Sequence, residues 1–269
     1  MIALRSKYVF MAAAIVLAGS CSRETTLRVM PLGDSITFGF TTKKAPNPGG
    51  YRYYLEDMLQ KAGAKVDFVG TGTRGPADMK DRDHQGMPGW TIRRPAADPV
   101  SCHDAWDPDE LVGPYKDGIA DHYRSFVSRI DSPPDIVLLM IGTNDITKVT
   151  DSVPTLHTRY AALLDTISTV SPEAHIVAAT ILPITLRFDS TRCAFGNLND
   201  SVKVVNRRLA ETFEAARTKG IDVTVVDMYG IPGIMESIRR NDGIHPDDKG
   251  YRMLARRWFR AIQSLRKDR

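Results

Sequence analysis

The chain has 269 residues, 42% hydrophobic and 25% charged, with a formal net charge of +4. That size and apolar content suit one α/β domain with a sizeable core and a soluble surface. The slight positive balance, without an arginine-rich stripe or zinc-finger spacing, gives no footing for nucleic-acid binding.

The N-terminus reads as a targeting segment. Arg5 and Lys7 make a short basic region ahead of an apolar run over residues 8–19. The run is too short to span a bilayer comfortably and fits the core of a signal peptide. Removing residues 1–20 takes away two positive charges and leaves +2. The leader ends Leu17-Ala18-Gly19-Ser20-Cys21. Small residues before a cysteine resemble a bacterial lipobox, with Cys21 lipidated after cleavage; plain secretion with an incidental Cys21 is the other reading. The expected location is periplasmic or cell-surface, as a lipoprotein held to the membrane only by that anchor, alternatively secreted. Cys102 and Cys193 remain. In an oxidising compartment such a pair reads as a disulfide, the alternative being two buried free thiols.

Residues 21–26 form a polar tether, and the domain is expected from 27 to 269. A first strand over 27–32 stops at Gly33, where glycine permits a tight exit. Asp34 and Ser35 follow, and Asp34 is expected to hold the turn through side-chain bonds to backbone. A helix over 51–62 carries Tyr54, Leu55, Met58 and Leu59 on one face and ends at Gly63. Residues 66–69 read as a second strand. The stretch 70–117 is rich in Gly, Pro and Asp, and loops this long in a compact domain are usually functional. Its portion 93–116 reads as an insertion carrying Trp106 and the acids Asp104, Asp107 and Asp109, whose spacing does not match an EF-hand calcium loop. His84 and His103 read as loop surface.

Regular alternation then resumes. Helix 118–130 precedes the most apolar strand, 136–141. Helix 153–170, strand 176–181, a loop over 186–198, helix 199–219 and strand 221–226 follow. The closing helix, 246–265, has Pro246 in its first turn and Asp247 and Asp248 at its positive end. Five apolar strands alternating with helices predict a parallel sheet covered on both faces, with right-handed crossovers.

Open parallel sheets keep their crevice at the carboxyl ends of the strands. There this chain places Asp34-Ser35, the segment Gly86-Met87-Pro88-Gly89-Trp90, Gly142-Thr143-Asn144-Asp145 and Asp242-Gly243-Ile244-His245-Pro246. A serine acts as a nucleophile only with a base and an oxyanion site. His245 is the base candidate, and Asp242, three residues away, can orient its far ring nitrogen. The Ser35 N–H, the Gly89 N–H and the Asn144 amide can serve the oxyanion. Taken singly, each segment is also an ordinary turn or helix cap. The chain has no Gly-x-Ser-x-Gly elbow, Walker loop, dinucleotide glycine fingerprint or His-Glu-x-x-His zinc helix.

Gly33-Asp34-Ser35-Ile36-Thr37, Gly89, Gly142-Thr143-Asn144-Asp145 and Asp242-Gly243-Ile244-His245-Pro246 resemble, in order, the four blocks of the SGNH, or GDSL, hydrolases. The resemblance covers about residues 27–265. It implies a flavodoxin-like α/β/α sandwich, Ser35 as nucleophile, Gly89 and Asn144 as oxyanion donors, and His245 as base with Asp242. Gly49-Gly50-Tyr51-Arg52 and Gly86-Met87-Pro88-Gly89-Trp90-Thr91 look like the carbohydrate-esterase branch that includes acetyl xylan esterases. Met87 stands where that branch often has His, and the insertion 93–116 is a second departure; both bear on the substrate.

The expectation is an exported serine esterase, without metal or cofactor, acting through an acyl-enzyme on O-acyl, foremost O-acetyl, esters of a carbohydrate. Trp90 and Trp106 would stack on a sugar ring or pack the loop. The rival readings are a lipid or aryl esterase of lysophospholipase type, which the polar insertion disfavours, and a non-catalytic cell-surface carbohydrate-binding protein.

Overall fold

The computed structural model describes residues 26–41, 49–94, 117–148, 152–186, 190–191 and 193–267. The leader with Cys21, and the part of the insertion that holds Cys102, His103 and Trp106, lie outside them.

β1 (Leu27–Gly33), β2 (Val66–Phe68), β4 (Ile136–Met140), β5 (His175–Ala179) and β6 (Val223–Val226) pair in parallel in the order β2-β1-β4-β5-β6. The sheet is built on three central strands, β1, β4 and β5, that are buried on both sides. Every residue of β4 and β5 is buried. Side chains alternate between two cores, as a period of two requires. Val137 and Leu139 of β4 enter one core with Met30, Leu32, Ile176 and Ala178. Ile136, Leu138 and Met140 enter the other with Val29, Val177 and Ala179.

Helices close each face. The first core receives α3 (Ile119–Val127), α5 (Ser152–Val170) and α6 (Leu198–Thr218). The second receives α2 (Gly50–Lys61), α7 (Ile234–Asn241) and α8 (Asp248–Lys267). This is the expected three-layer α/β/α sandwich. The buried stripe of α2 is Tyr51, Leu55 and Leu59, with Tyr54 and Met58 at its margin, so the inward face is rotated from the sequence expectation.

Three short helices and one strand join the expected elements. They are α1 (Ser35–Phe38), α4 (Thr143–Lys148), α7 and β3 (Gln85–Gly86). β3 pairs with Leu32 and Gly33 on the edge of β1 where β2 has stopped. It thereby brings the Gly86–Trp90 segment to the carboxyl end of β1. Among the described residues no helix is long and apolar enough to cross a membrane.

Candidate active site

Gly33 ends β1 where nothing larger fits: a Cβ there would collide with the Met140 carbonyl and the Thr37 hydroxyl. The chain turns at once into α1. Asp34 caps it, accepting the Ile36 N–H at 2.9 Å, as expected of a turn-holding aspartate. Its carboxyl is pushed up to about 6 by burial, against the pull of the Ile36 amide, His245 and Lys148. Ser35 is the first residue of α1, so its N–H belongs to the opening turn, where backbone donors have no intrahelical partner.

His245 comes from the opposite end of the domain, between α7 and α8. Its Nε2 lies 2.7 Å from Ser35 Oγ, and its Nδ1 lies 2.6 Å from Asp242 Oδ2. The other Asp242 oxygen accepts the His245 and Ile244 amides at 2.7 and 2.9 Å. Burial would raise the Asp242 pKa, but the His245 ring, its charge and these two amides outweigh that and hold it below the usual carboxylate value. An ionised carboxylate can only accept, so the Nδ1 facing it carries the proton and Nε2 is left to accept from Ser35. Two neighbours hold His245, one by its backbone and one by its ring. Asn241 Nδ2 donates to the His245 carbonyl at 3.1 Å, and the Phe40 ring lies 4.6 Å from the His245 ring, centre to centre. Phe40 is held in turn by Tyr251, whose hydroxyl donates to its carbonyl at 2.6 Å.

The Gly142–Asp145 block grips the Gly89 loop with consecutive side chains. Asn144 Nδ2 donates to the Trp90 carbonyl at 2.8 Å, and Asp145 Oδ2 accepts the Ile92 N–H at 3.0 Å. Asp145 Oδ1 pairs with Arg159 at 3.0 Å. Gly89 has φ +81°, a left-handed conformation suited to glycine. The Met87 N–H donates to the Gly33 carbonyl at 2.8 Å. The Gly89 loop and the Ser35 turn are thus tied to one strand end.

Arg52 on α2 ties them again. Its guanidinium is fully buried. Nε donates to the Thr37 carbonyl at 2.9 Å and Nη2 to the Phe38 carbonyl at 3.0 Å, both on α1. Nη2 also reaches the Arg74 carbonyl at 2.8 Å, and Nη1 the Arg82 carbonyl at 3.2 Å, both in the loop leading to β3. Burial draws its pKa down to about 10.

The structure thus brings Ser35, His245 and Asp242 into one hydrogen-bonded chain, with Asn144 holding the Gly89 loop. Trp90 is half-buried, its ring 5.1 Å from His122 and 5.8 Å from Phe126. His84 is not loop surface. It is 2% exposed, its Nδ1 accepts the Gly86 N–H at 2.9 Å, and burial lowers its pKa to about 2. It therefore stays neutral and shapes the turn into β3. Phe40, Arg52, Asn241 and Tyr251 escaped the sequence reading as parts of the site. Arg52 alone left a signal, in the Gly49–Arg52 block. Among the described residues no group of three or more His, Cys, Asp or Glu side chains could hold a metal ion.

A serine bonded to an imidazole that is itself bonded to a carboxylate, at the strand ends of a three-layer parallel fold, defines a serine hydrolase. The chain belongs to the GDSL-like lipase/acylhydrolase family, a family of serine ester hydrolases, whose pattern it matches over residues 32–253. It is 28% identical over 258 residues to a multidomain esterase of Ruminococcus flavefaciens, a match covering 91% of this chain. The chain spans 30% of that relative's length. Among solved structures it is similar to a Clostridium thermocellum family 3 carbohydrate esterase, with TM-score 0.66, 26% identity and coverage of 90% of this chain and 98% of that one. A Talaromyces cellulolyticus carbohydrate esterase of family 3 shares the fold at TM-score 0.65, with 22% identity and coverage of 91% and 100%.

Proposed function

We propose that this protein is an exported esterase that removes O-acyl groups, foremost O-acetyl, from a carbohydrate through an acyl-enzyme. The observation that carries the chemistry is the unbroken chain from Ser35 Oγ through His245 to Asp242, with links of 2.7 and 2.6 Å. In this mechanism Ser35 Oγ attacks the ester carbonyl while His245 Nε2 takes its proton. The oxyanion is met by the Ser35 and Gly89 amides and by the second N–H of the Asn144 amide, whose first is bonded to Trp90. The carbon–alkoxide bond then breaks, and His245 returns the proton to the departing alcohol. Water, deprotonated by His245, then attacks the acyl carbon; the bond to Ser35 Oγ breaks, His245 returns the proton to that oxygen, and the acid leaves. Asp242 holds the imidazole in the required tautomer and stabilises its cationic form.

The carbohydrate reading is supported by the likeness to a family 3 carbohydrate esterase and by the polar character of the inserted loop. Export is supported by the basic and apolar leader, and anchoring by the small residues before Cys21. A Cys102–Cys193 bridge is proposed with it, supported by the oxidising compartment that export implies and by Cys193 lying half-buried against the first core. Trp106 is the proposed stacking residue of the insertion. Trp90, with one side packed on His122 and Phe126, has at most its other side for substrate.

The test is acetate release from acetylated xylan, acetylated chitin fragments and acetylated pectin. Release from at least one, lost in Ser35→Ala, is the expected result. Hydrolysis of aryl or lipid esters alone would overturn the carbohydrate assignment.

A further inference from the structure

We infer that the cleft between the N-terminal ends of α2 and α8 holds the sugar that departs in the first half-reaction, an assignment that rests on the carbohydrate-ester reading above. The cleft has a volume of about 590 Å³, within the range of small-molecule sites.

Its position follows from the topology. Both helices begin at the carboxyl rim of the sheet, α8 three residues after His245. Gly39 and Thr41 line the cleft and flank Phe40, whose ring rests on His245. Asn241 lines it as well, and its amide holds the His245 carbonyl. The cleft therefore adjoins the site from the His245 side. The leaving alcohol belongs on that side. When the tetrahedral intermediate collapses, the bond between carbonyl carbon and sugar oxygen breaks, and that oxygen takes the proton from His245 Nε2. The sugar oxygen must then lie next to the imidazole, while the oxyanion is drawn to Gly89 and Asn144.

The walls suit a sugar. Tyr53 and Tyr54 stand with ring centres 5.2 Å apart, giving aromatic surface for the apolar face of a pyranose. Neither ring is loose. The Tyr53 hydroxyl donates to Asp78 at 2.7 Å, and the Tyr54 hydroxyl donates to Asp248. The Arg252 guanidinium sits 4.2 Å over the Tyr54 ring. Each carboxylate has lone pairs beyond those its tyrosine uses, and sugar hydroxyls can donate to them. Lys249 adds a donor from the same rim.

The charge narrows the choice. Asp247 is taken up by Arg240, Ser237 and the Gly250 amide. Asp248 is paired with Arg252 at 3.4 Å, which leaves Asp78 and Lys249 as the remaining charged groups of the lining. A uronate chain would bring its own carboxylates against Asp78 at the tyrosine wall, so that wall favours a neutral glycan.

The test compares three substrates: acetylated xylotetraose, acetylated tetragalacturonate and 4-nitrophenyl acetate, which has no sugar. Tyr53→Ala and Asp78→Asn should each lower kcat/KM on acetylated xylotetraose about tenfold or more, the scale of one lost hydrogen bond to a charged group. Both should keep wild-type turnover of 4-nitrophenyl acetate and wild-type labelling by a fluorophosphonate. Asp78→Lys should raise tetragalacturonate turnover relative to xylotetraose. Unchanged xylotetraose turnover in Asp78→Asn and Tyr53→Ala would overturn the cleft assignment and leave the esterase reading intact. Equal losses on all substrates would make these residues supports of the catalytic geometry, which also overturns it. A wild-type protein that cleaves 4-nitrophenyl acetate but releases no acetate from any oligosaccharide would overturn both.

Discussion

Asn144 Nδ2 donates to the Trp90 carbonyl at 2.8 Å, so the side chain assigned to the oxyanion also straps the loop that presents the Gly89 amide. Its two N–H groups divide between these tasks. Asn144→Ala should remove one donor and loosen a second. Losing one such donor lowers kcat by about 10²–10³, and the strap makes the upper end the expected loss. KM for a small aryl acetate should change much less, as for an interaction made in the transition state. A rise in KM with kcat intact would make Asn144 a ground-state binder.

Asp242 is bonded through both oxygens, to the imidazole on one and to two amides on the other. Asparagine has a single acceptor and cannot serve both. Asp242→Asn should therefore favour the wrong imidazole tautomer and lower kcat about 10⁴-fold while the protein stays folded. The same carboxylate carries a pH signature. Its folded pKa is depressed, so its stabilisation is complete above the ordinary carboxylate range and is lost as pH falls through the lowered value. The Tm gap between wild type and Asp242→Asn should be full at neutral pH and shrink below about pH 4. A gap independent of pH would contradict the assignment.

Arg52 joins α1 to the loop before β3 through four backbone carbonyls. A lysine has three donors on one point and no planar fork. Arg52→Lys should lower kcat more than it changes KM, by about tenfold. Arg52→Met should be worse and should also destabilise by about 3 kcal/mol or more, because several buried acceptors lose their partners. Kinetics on an aryl acetate alongside thermal unfolding separate the two effects. An Arg52→Met protein with reduced Tm but unchanged kcat would make the clamp a purely structural feature.

His84 gives a pH effect of the opposite origin. Its folded pKa, about 2, lies far below the ordinary 6.5. The unfolded chain takes up a proton as pH drops below about 6.5 while the folded protein does not, so wild type loses up to about 1.4 kcal/mol of stability per pH unit from this group. His84→Gln lacks that term. Its deficit relative to wild type should be largest near pH 7–8 and narrow steadily toward pH 4 in urea unfolding curves. A constant deficit would mean that the imidazole is not kept neutral.

The sheet was legible because β1, β4 and β5 are buried on both faces and so read as unbroken apolar runs. α1, α4 and β3 were not, being shorter than the repeat that reveals a helix or an alternation, and α7 is eight residues of mixed polarity. Ser35, Gly89, Asn144, Asp242 and His245 stood out because each sits in a segment of unusual composition, at a strand end or just before the closing helix, in a fixed order. Phe40 and Asn241 carry no such mark; what they do depends on the fold placing them against His245. Arg52 and His84 were hidden for a different reason. Charged and polar side chains are expected at the surface, and both are interior because the folded loops offer them backbone partners. The rotation of the α2 stripe has the same source, since the buried Arg52 shifts the inward face toward Tyr51 and Leu55.

In the proposed mechanism Ser35, activated by His245, forms the acyl-enzyme. Incubation with a fluorophosphonate followed by peptide mass mapping tests it most directly. One adduct is expected, on Ser35, at a rate that falls steeply in His245→Ala, with no adduct and no ester turnover in a folded Ser35→Ala protein. An adduct on another residue, or aryl acetate hydrolysis at the wild-type rate in Ser35→Ala, would contradict it.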